Sequence, residues 1–203
     1  MKILMVNSSP HEKGCTHRAL MEMKKVFDGE GIESEIMWLG NGETRGCIAC
    51  GKCFNTGRCV FDDKVNEFLD KAVNADGFVF GSPVHYANIS GSMSCFMDRA
   101  FYGKGRIFAH KPACGIISAR RSGTTASLEA FNKYFAISQM PIATSTYWNA
   151  VHGRVAEDVE QDKEGLQTVR VLAKNLAWLV RCIKTAKIAP PETEIPEKTN
   201  FIR

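Results

Sequence analysis

The sequence lacks any hydrophobic run long enough to cross a membrane and any dense basic tract. A membrane-spanning helix needs about 18 or more apolar residues in succession, and no run in this chain of 203 residues approaches that length. The opening segment, MKILMVNSSP, has an apolar run too short for a secretory signal peptide. The formal net charge is only +4, without a Lys/Arg-rich tract. We therefore expect a cytoplasmic protein with no membrane and no nucleic-acid partner.

Several catalytic and nucleotide-binding motifs are also missing. The chain has no Gly-x-x-x-x-Gly-Lys-[Ser/Thr] loop, which argues against ATP or GTP as a ligand, and no Gly-x-Gly-x-x-Gly fingerprint. It has no Ser/His/Asp set in the context of a nucleophile elbow. Disulfides are not expected in a reducing compartment. The eight cysteines are therefore interpreted as free thiols or metal ligands.

Apolar runs alternate with segments of helical periodicity along the chain. This alternation predicts βαβ units and a mostly parallel, doubly wound α/β sheet with helices on both faces. Five strands suit the order 2-1-3-4-5, and we place them at 2–7, 33–39, 78–83, 113–118 and, weakly, 143–148. The predicted organisation is one domain over 1–185, with a Cys-rich insertion at 40–63 and an extended tail at 186–203.

The first and last helices carry specific expectations. Thr16 is predicted to cap the first helix. The last helix has a main apolar stripe and a second one formed by Leu172, Leu179 and Cys182. A helix that is apolar on two sides is either an interface between subunits or a core helix that is buried all round, and the sequence leaves both interpretations open.

Three loops should carry the chemistry, because ligands of such sheets bind at the carboxyl ends of the strands near the switch point. The loop after strand 1 leads into a helix N-terminus, where backbone N–H groups and hydroxyls form a cradle for a phosphate. The loop after strand 3 offers backbone groups and an aromatic face to the edge of a flat ring, and the loop after strand 4 adds two arginines. The residues selected are Ser8, Ser9, His11, Gly14, Cys15 and Thr16; Pro83, Val84, His85, Tyr86 and Asn88; and Ser118, Ala119, Arg120, Arg121 and Gly123.

These loops resemble the NADPH-dependent FMN reductase family. The resemblance rests on Asn7-Ser-Ser-Pro with Gly14-Cys-Thr16, on Gly81-Ser-Pro-Val-His-Tyr86, and on Ser90-Gly91 followed by Phe96-Met-Asp-Arg99. It implies a flavodoxin-like fold and bound FMN, with the phosphate at Ser9–Thr16 and the isoalloxazine at Pro83–Tyr86. It also implies a homodimer or homotetramer. No side chain is predicted to act as an acid or base, because the flavin itself carries the chemistry.

The insertion contains the sharpest local motif, Cys47-x2-Cys50-x2-Cys53-x5-Cys59. Thiolates this close together can surround one iron–sulfur cluster, and Lys52 and Arg58 would offset its negative charge. The motif resembles that of iron–sulfur flavoproteins, a branch of the same superfamily, which implies that these four cysteines ligate one [4Fe-4S] cluster. A zinc site and a set of free or redox-active thiols remain open alternatives.

The predicted function is an FMN-dependent oxidoreductase that moves electrons between NAD(P)H or a reduced carrier and a small-molecule or protein acceptor. One alternative is an electron carrier that receives electrons from a ferredoxin-like partner and has little NAD(P)H activity. Another is a thiol-based or zinc-based sensor without enzymatic activity, which would bind no stoichiometric flavin.

Overall fold

The fold is built around one parallel sheet. The computed structural model describes residues 1–192, 194, 197 and 199. Its parallel strands are β1 (Lys2–Asn7), β2 (Glu33–Trp38), β3 (Gly77–His85), β5 (Ala113–Ala119) and β6 (Ala150–His152). They are ordered β2-β1-β3-β5-β6, and the two-residue strand β4 (Asn88–Ile89) pairs antiparallel with the end of β3. With the five parallel strands counted along the chain, this is the predicted order 2-1-3-4-5.

Helices cover both faces of the sheet, as predicted. They are α1 (Cys15–Gly29), α2 (Lys52–Thr56), α3 (Lys64–Ala72), α4 (Gly91–Lys104), α5 (Thr124–Ile137), α6 (Ala156–Val159) and α7 (Lys163–Thr185), with a 3-10 turn at Gly105–Ile107. One core cluster joins the sheet to α3, α4 and α5, and the other joins it to α1 and α7. No helix within the described residues is long and apolar enough to span a membrane.

The sequence of β1 explains why the sheet has two buried faces. Successive side chains of a strand point to opposite faces, and β1 is apolar at both sets of positions. Ile3 and Met5 belong to the core cluster on the α1 and α7 side, whereas Leu4 and Val6 belong to the cluster on the other side. All four are fully buried. A strand that is apolar throughout is therefore placed at the centre of a sheet covered on both faces.

The fifth strand is not where the sequence pattern places it. The chain touches β5 at Ile142, leaves the sheet, and returns to pair as β6 from Ala150. The expected strand at 143–148 was wrong because this segment bulges out of the sheet, which leaves Tyr147 and Trp148 exposed. The Asn149 side chain closes the gap by donating a hydrogen bond to the Gly115 carbonyl at 3.2 Å.

The first and last helices differ from expectation at their ends and outer faces. Gly14, not Thr16, is the N-cap of α1, and it provides no side-chain hydrogen bond. On α7, Leu172 is buried in the core and Leu179 is partly packed against it, whereas Cys182 is exposed. The prediction for the tail at 186–203 falls partly on 193, 195, 196, 198 and 200–203, which lie outside the described residues.

Candidate functional site

The carboxyl ends of β1, β3 and β5 are adjacent, because these strands are parallel neighbours at the centre of the sheet. The three predicted ligand-binding loops therefore meet at one edge. Hydroxyl groups connect them directly. Ser8 Oγ donates to the Gly81 carbonyl at 3.2 Å and lies 2.9 Å from Ser90 Oγ. Thr16 Oγ1 lies 2.8 Å from Ser118 Oγ. All of these hydroxyl-bearing side chains are buried, so the loops form one connected floor.

The loop after β1 is held in shape from two directions. The Asn7 side chain accepts a hydrogen bond from the Ser9 amide at 3.0 Å and donates one to the Glu12 carbonyl at 3.0 Å. The indole N–H of Trp38, at the end of β2, donates to the Ser9 carbonyl at 2.8 Å. Trp38 was not predicted as a site residue, because only the pairing of β1 with β2 brings it to this loop.

The N-terminus of α1 remains available for an anion. The first N–H groups of a helix have no partner within the helix, and among the described residues no side chain caps α1. Thr16, which was expected to cap it, instead directs its hydroxyl to Ser118. The first-turn amides therefore face the loop edge with the positive end of the helix dipole, which is an arrangement that favours a phosphate.

The sulfur of Cys15 has a structural role in this loop. Its thiol donates to the Gly153 carbonyl, with the sulfur 3.5 Å from the oxygen, and so joins α1 to the segment after β6. Burial raises the pKa of Cys15 above its ordinary value. The group is therefore a protonated donor at neutral pH rather than a reactive thiolate.

The loop after β5 packs on the hairpin formed by β3 and β4. Gly123 adopts a φ of +89°, and a Cβ at this position would lie 2.9 Å from Val84 Cγ1. Glycine is required here both by the backbone conformation and by the close approach. The predicted residues Pro83 and Val84 are half-buried at the end of β3. Ser118 and Ala119, at the end of the neighbouring strand β5, are buried.

Other predicted residues form the rim of the edge. His11, His85, Tyr86, Arg120 and Arg121 are exposed. Asn88 is exposed as well, and its side chain accepts a hydrogen bond from the Ile89 amide, which stabilises the hairpin turn. Within the described part of the chain, neither arginine forms an ion pair. The edge thus has a polar floor and two unneutralised arginines at its rim.

The four cysteines of the insertion line one small cavity. Cys47, Cys50, Cys53 and Cys59 all face it, together with Arg99 and Tyr102 of α4 and four further loop residues, Ile48, Gly51, Val60 and Phe61. Cys47 and Cys50 are exposed, whereas Cys53 and Cys59 are partly buried. Across the described residues, no three Cys, His, Asp or Glu side chains lie close enough together to hold a single metal ion.

Helix α4 is the platform on which the cysteine-rich insertion rests. A Cβ on Gly103 would lie 3.2 Å from Cys53 Cβ, so Cys53 packs directly on the helix backbone. The rings of Phe54 and Tyr102 lie 5.2 Å apart between their centroids. Ser90, which caps the same helix, belongs to the hydroxyl floor of the loop edge. One helix therefore connects the two candidate sites.

Cys59 is fixed more firmly than the other three cysteines. Asn66 of α3, which is only 2% exposed, accepts a hydrogen bond from the Cys59 amide at 2.9 Å and donates to the Cys59 carbonyl at 3.1 Å. It also donates to the Phe61 carbonyl at 3.1 Å. Because the main chain of Cys59 is bonded on both sides, its sulfur projects from a rigid position.

The sequence matches the family model described as NADPH-dependent FMN reductase over residues 1–154. The chain belongs to this family. An iron–sulfur flavoprotein of Methanocaldococcus jannaschii is 30% identical over 195 residues, which covers 91% of this chain and 100% of the relative. An iron–sulfur flavoprotein of Methanosarcina thermophila is 26% identical over 189 residues, which covers 91% of this chain and 97% of that relative.

Solved structures support the same fold for this FMN reductase family member. RosB with a bound 8-demethyl-8-formylriboflavin-5'-phosphate intermediate superposes with a TM-score of 0.74 at 14% identity, covering 100% of this chain and 92% of that one. A WrbA-like flavodoxin from Agrobacterium tumefaciens superposes with a TM-score of 0.62 at 14% identity, covering 89% of this chain and 97% of that one. The fold is therefore flavodoxin-like, and the family membership supports an FMN-dependent oxidoreductase or electron carrier.

Proposed function

We propose that this protein is an iron–sulfur flavoprotein that binds FMN at the loop edge and passes electrons between FMN and a [4Fe-4S] cluster in the cysteine-rich insertion. The observation that carries the proposal is that α4 connects the two sites. Its cap, Ser90, lies in the hydroxyl floor, and Arg99 and Tyr102 line the cysteine cavity. Arg99 is nine residues after Ser90, which is about 14 Å along a helix axis.

The FMN site uses the three connected loops. The amides at the N-terminus of α1 bind the phosphate, and the loop from Ser9 to Thr16 surrounds it. The hairpin from Pro83 to Tyr86 contacts the isoalloxazine edge. Arg120 and Arg121, exposed and unpaired in the described chain, stabilise negative charge near the pyrimidine carbonyls. When bound, FMN supplies the redox chemistry, and these residues fix its position and charge environment.

The donor set fits an iron–sulfur cluster. Four thiols from one short segment face one cavity, and cysteine thiolates are the usual ligands of such clusters. A zinc ion would require sulfurs converging on one point, with Zn–S distances of about 2.3 Å. Both groups require the four sulfurs to move closer together, and the names of the two relatives reported above favour the iron–sulfur cluster over zinc.

Cluster binding also requires movement of part of the insertion. The cavity volume is about 20 Å³, which accommodates little more than one water molecule. Cys47 and Cys50 lie on the exposed part of the insertion. We therefore infer that the Cys47–Cys50 segment moves outward to admit the cluster, whereas the Cys59 end, bonded to Asn66, stays in place.

Purification without oxygen, followed by a visible spectrum with iron and sulfide analysis, tests both cofactors. The expected result is one FMN and about four iron per chain, as a [4Fe-4S] cluster requires. Flavin without iron after anaerobic reconstitution would eliminate the cluster and leave an FMN reductase with free thiols or zinc. Absence of flavin, even after FMN is added, would refute the proposed function as a whole.

The electron donor is proposed to be NAD(P)H or a reduced ferredoxin-like carrier. The family description favours NADPH. The two relatives reported above are named iron–sulfur flavoproteins, and a cluster offers a route by which a carrier could deliver electrons to the flavin. Anaerobic stopped-flow mixing separates the two. Rapid bleaching of the flavin by NADPH or NADH supports a pyridine-nucleotide reductase. Bleaching only by a reduced ferredoxin supports an electron carrier.

A further inference from the structure

The side chain of Arg99 contacts the sulfur of the last cysteine in the motif. Its guanidinium Nε donates a hydrogen bond to Cys59 Sγ at 3.1 Å. The side chain is only 1% exposed, so this is a buried arginine directed at the sulfur of a candidate cluster ligand. The bond joins the core helix α4 to the last cysteine of the motif.

The other donors of Arg99 leave it no freedom to move. Nη1 donates to Asp63 at 2.7 Å and to the Arg45 carbonyl at 3.2 Å. Nη2 donates to Asp63 at 2.8 Å and to the Phe61 carbonyl at 3.3 Å. An arginine has five N–H donors, so all five are satisfied and one of them is committed to sulfur.

The Phe61 ring holds the guanidinium in place from one side. Arg99 Cζ lies 5.1 Å from the centroid of this ring, a distance at which a cation is attracted to the aromatic face. The bidentate pair with Asp63 fixes the plane of the guanidinium. The direction of Nε, and therefore its bond to Cys59, is set by the fold and does not depend on side-chain rearrangement.

We propose that Arg99 is a positioning residue for the iron–sulfur cluster, which fixes Cys59 Sγ and raises the reduction potential of the cluster through a hydrogen bond to that sulfur. This inference rests on the proposed function. Hydrogen bonds to ligand sulfurs are among the factors that set cluster potentials, because they withdraw electron density and favour the reduced state. Asp63 acts in the opposite direction by partly neutralising the guanidinium.

The test is the midpoint potential of the cluster in the reconstituted flavoprotein, measured by spectroelectrochemical titration without oxygen. Arg99→Lys keeps the positive charge but cannot reproduce the fork and its Nε donor. We expect this substitution to decrease the equilibrium constant for cluster reduction at least about tenfold, which corresponds to a shift of about 59 mV toward more negative potential for one electron. Asp63→Asn should shift the potential in the positive direction.

Arg58→Gln is the matched control. Arg58 is the neighbour of Cys59 in the chain, but it is exposed and paired with Asp70. Its substitution removes a charge near the cluster and leaves the Arg99–Cys59 bond intact, so we expect less than a threefold change in the reduction equilibrium. An equal shift in Arg58→Gln and Arg99→Lys would overturn the inference, because the shift would then not depend on the hydrogen bond from Arg99 Nε to Cys59 Sγ.

The remaining outcomes are also decisive. A wild-type potential in Arg99→Lys, with flavin and iron present, overturns the inference while leaving the proposed function intact. If wild-type protein holds flavin but no iron, the cluster and this inference fail together. If Arg99→Lys holds no iron or does not fold, the potential of Asp63→Asn provides the test, because this variant retains the Nε donor of Arg99. A positive shift larger than that of the exposed neighbour Asp62→Asn supports the inference, because removal of a nearby negative charge alone would affect both variants. An equal shift or an unchanged potential overturns it.

Discussion

A missing Cβ at Gly81 determines how closely α1 approaches the sheet beside the proposed phosphate site. A Cβ at this position would lie 2.9 Å from Thr16 Cγ2 and 3.2 Å from Leu20 Cδ1. The first turn of α1 therefore rests against the β3 backbone. This close approach allows the Thr16 hydroxyl to reach Ser118.

Gly81→Ala should therefore displace the first turn of α1. We expect a loss of about 1–3 kcal/mol in the free energy of unfolding, as for other overpacked sites, and at least a tenfold weaker affinity for FMN. Thermal unfolding and flavin fluorescence titration measure the two effects. Gly91→Ala is the control, because no atom of the described part of the chain lies within 4 Å of a Cβ at that position. Wild-type FMN affinity in Gly81→Ala would contradict the geometry of the site.

Trp38 offers a second residue-scale prediction. Trp38→Phe keeps an aromatic ring but removes the N–H that donates to the Ser9 carbonyl. A net loss of about 1 kcal/mol per hydrogen bond predicts about fivefold weaker FMN binding, again measured by flavin fluorescence. Trp178→Phe is the control, because it makes the same change of side chain at a tryptophan that is exposed on α7. Equal effects of the two substitutions would contradict the proposed role of Trp38.

Residues of the site could be predicted where they are close in the chain, and not where they are joined by the fold. The phosphate loop and the four cysteines form local motifs with readable spacing. Trp38, Asn66 and Arg99 act through contacts with residues 29, 7 and 40 positions away. Arg99 ends the Phe96-Met-Asp-Arg99 segment that resembles the family, but no pattern in the sequence shows that its side chain reaches Cys59.

At the scale of elements, the cysteine-rich insertion divides into an anchored end and an exposed end. Asn66 of α3 and Arg99 of α4 hold the end that carries Cys59. The short helix α2 begins after Gly51 and ends before Gly57, and both glycines have a positive φ, which permits the tight turns around Cys53. Lys52 and Arg58 are predicted to offset the charge of the cluster, and the structure adds Arg99, a buried cation that lines the cavity.

Asn66→Ala should release the anchored end. It removes the partners of the Cys59 amide and of two carbonyls, which costs about 1–3 kcal/mol when such groups stay buried. We expect iron content after anaerobic reconstitution to fall by at least half, with FMN content unchanged. Asn132→Ala is the control, since the Asn132 side chain contacts only the exposed Glu129 through hydrogen bonds within the described chain. Full iron content in Asn66→Ala would contradict the anchoring role.

The elements themselves were predicted well where burial imposes one periodicity. The strand at 2–7 has the predicted bounds, because its apolar positions match a fully buried core. The fifth strand was misplaced because edge pairing is interrupted between Ile142 and Ala150 and repaired by the Asn149 side chain. The apolar residues of the bulge give the sequence pattern of a strand, and the hydrogen bond from the Asn149 side chain to the Gly115 carbonyl has no local sequence signature.

For the whole molecule, the outer face of α7 is distinguished by exposed apolar side chains. Trp178 is 64% exposed, and Ile183 and Cys182 are exposed one turn further along the helix. The buried face of the same helix packs against α1 and the sheet through Val169, Ala173 and Leu176. Of the two interpretations left open by the sequence, a buried core helix applies to Leu172. The face around Cys182 and Trp178 is exposed and remains available for an interface between subunits.

We propose that this open face joins two copies of the chain, which gives the predicted homodimer or part of a homotetramer. Tryptophans at the centre of an interface commonly contribute 2 kcal/mol or more, so Trp178→Lys should raise the dissociation constant of the oligomer about 30-fold or more. Sedimentation velocity at several concentrations measures this constant. Val73→Lys, which changes an apolar residue that is 50% exposed at the end of α3, should leave it unchanged. A wild-type protein that is monomeric at tens of micromolar would exclude the interface. An oligomer unaffected by Trp178→Lys would place the interface elsewhere, because an exposed tryptophan that contributes to assembly cannot be replaced by a charge without a measurable loss of affinity.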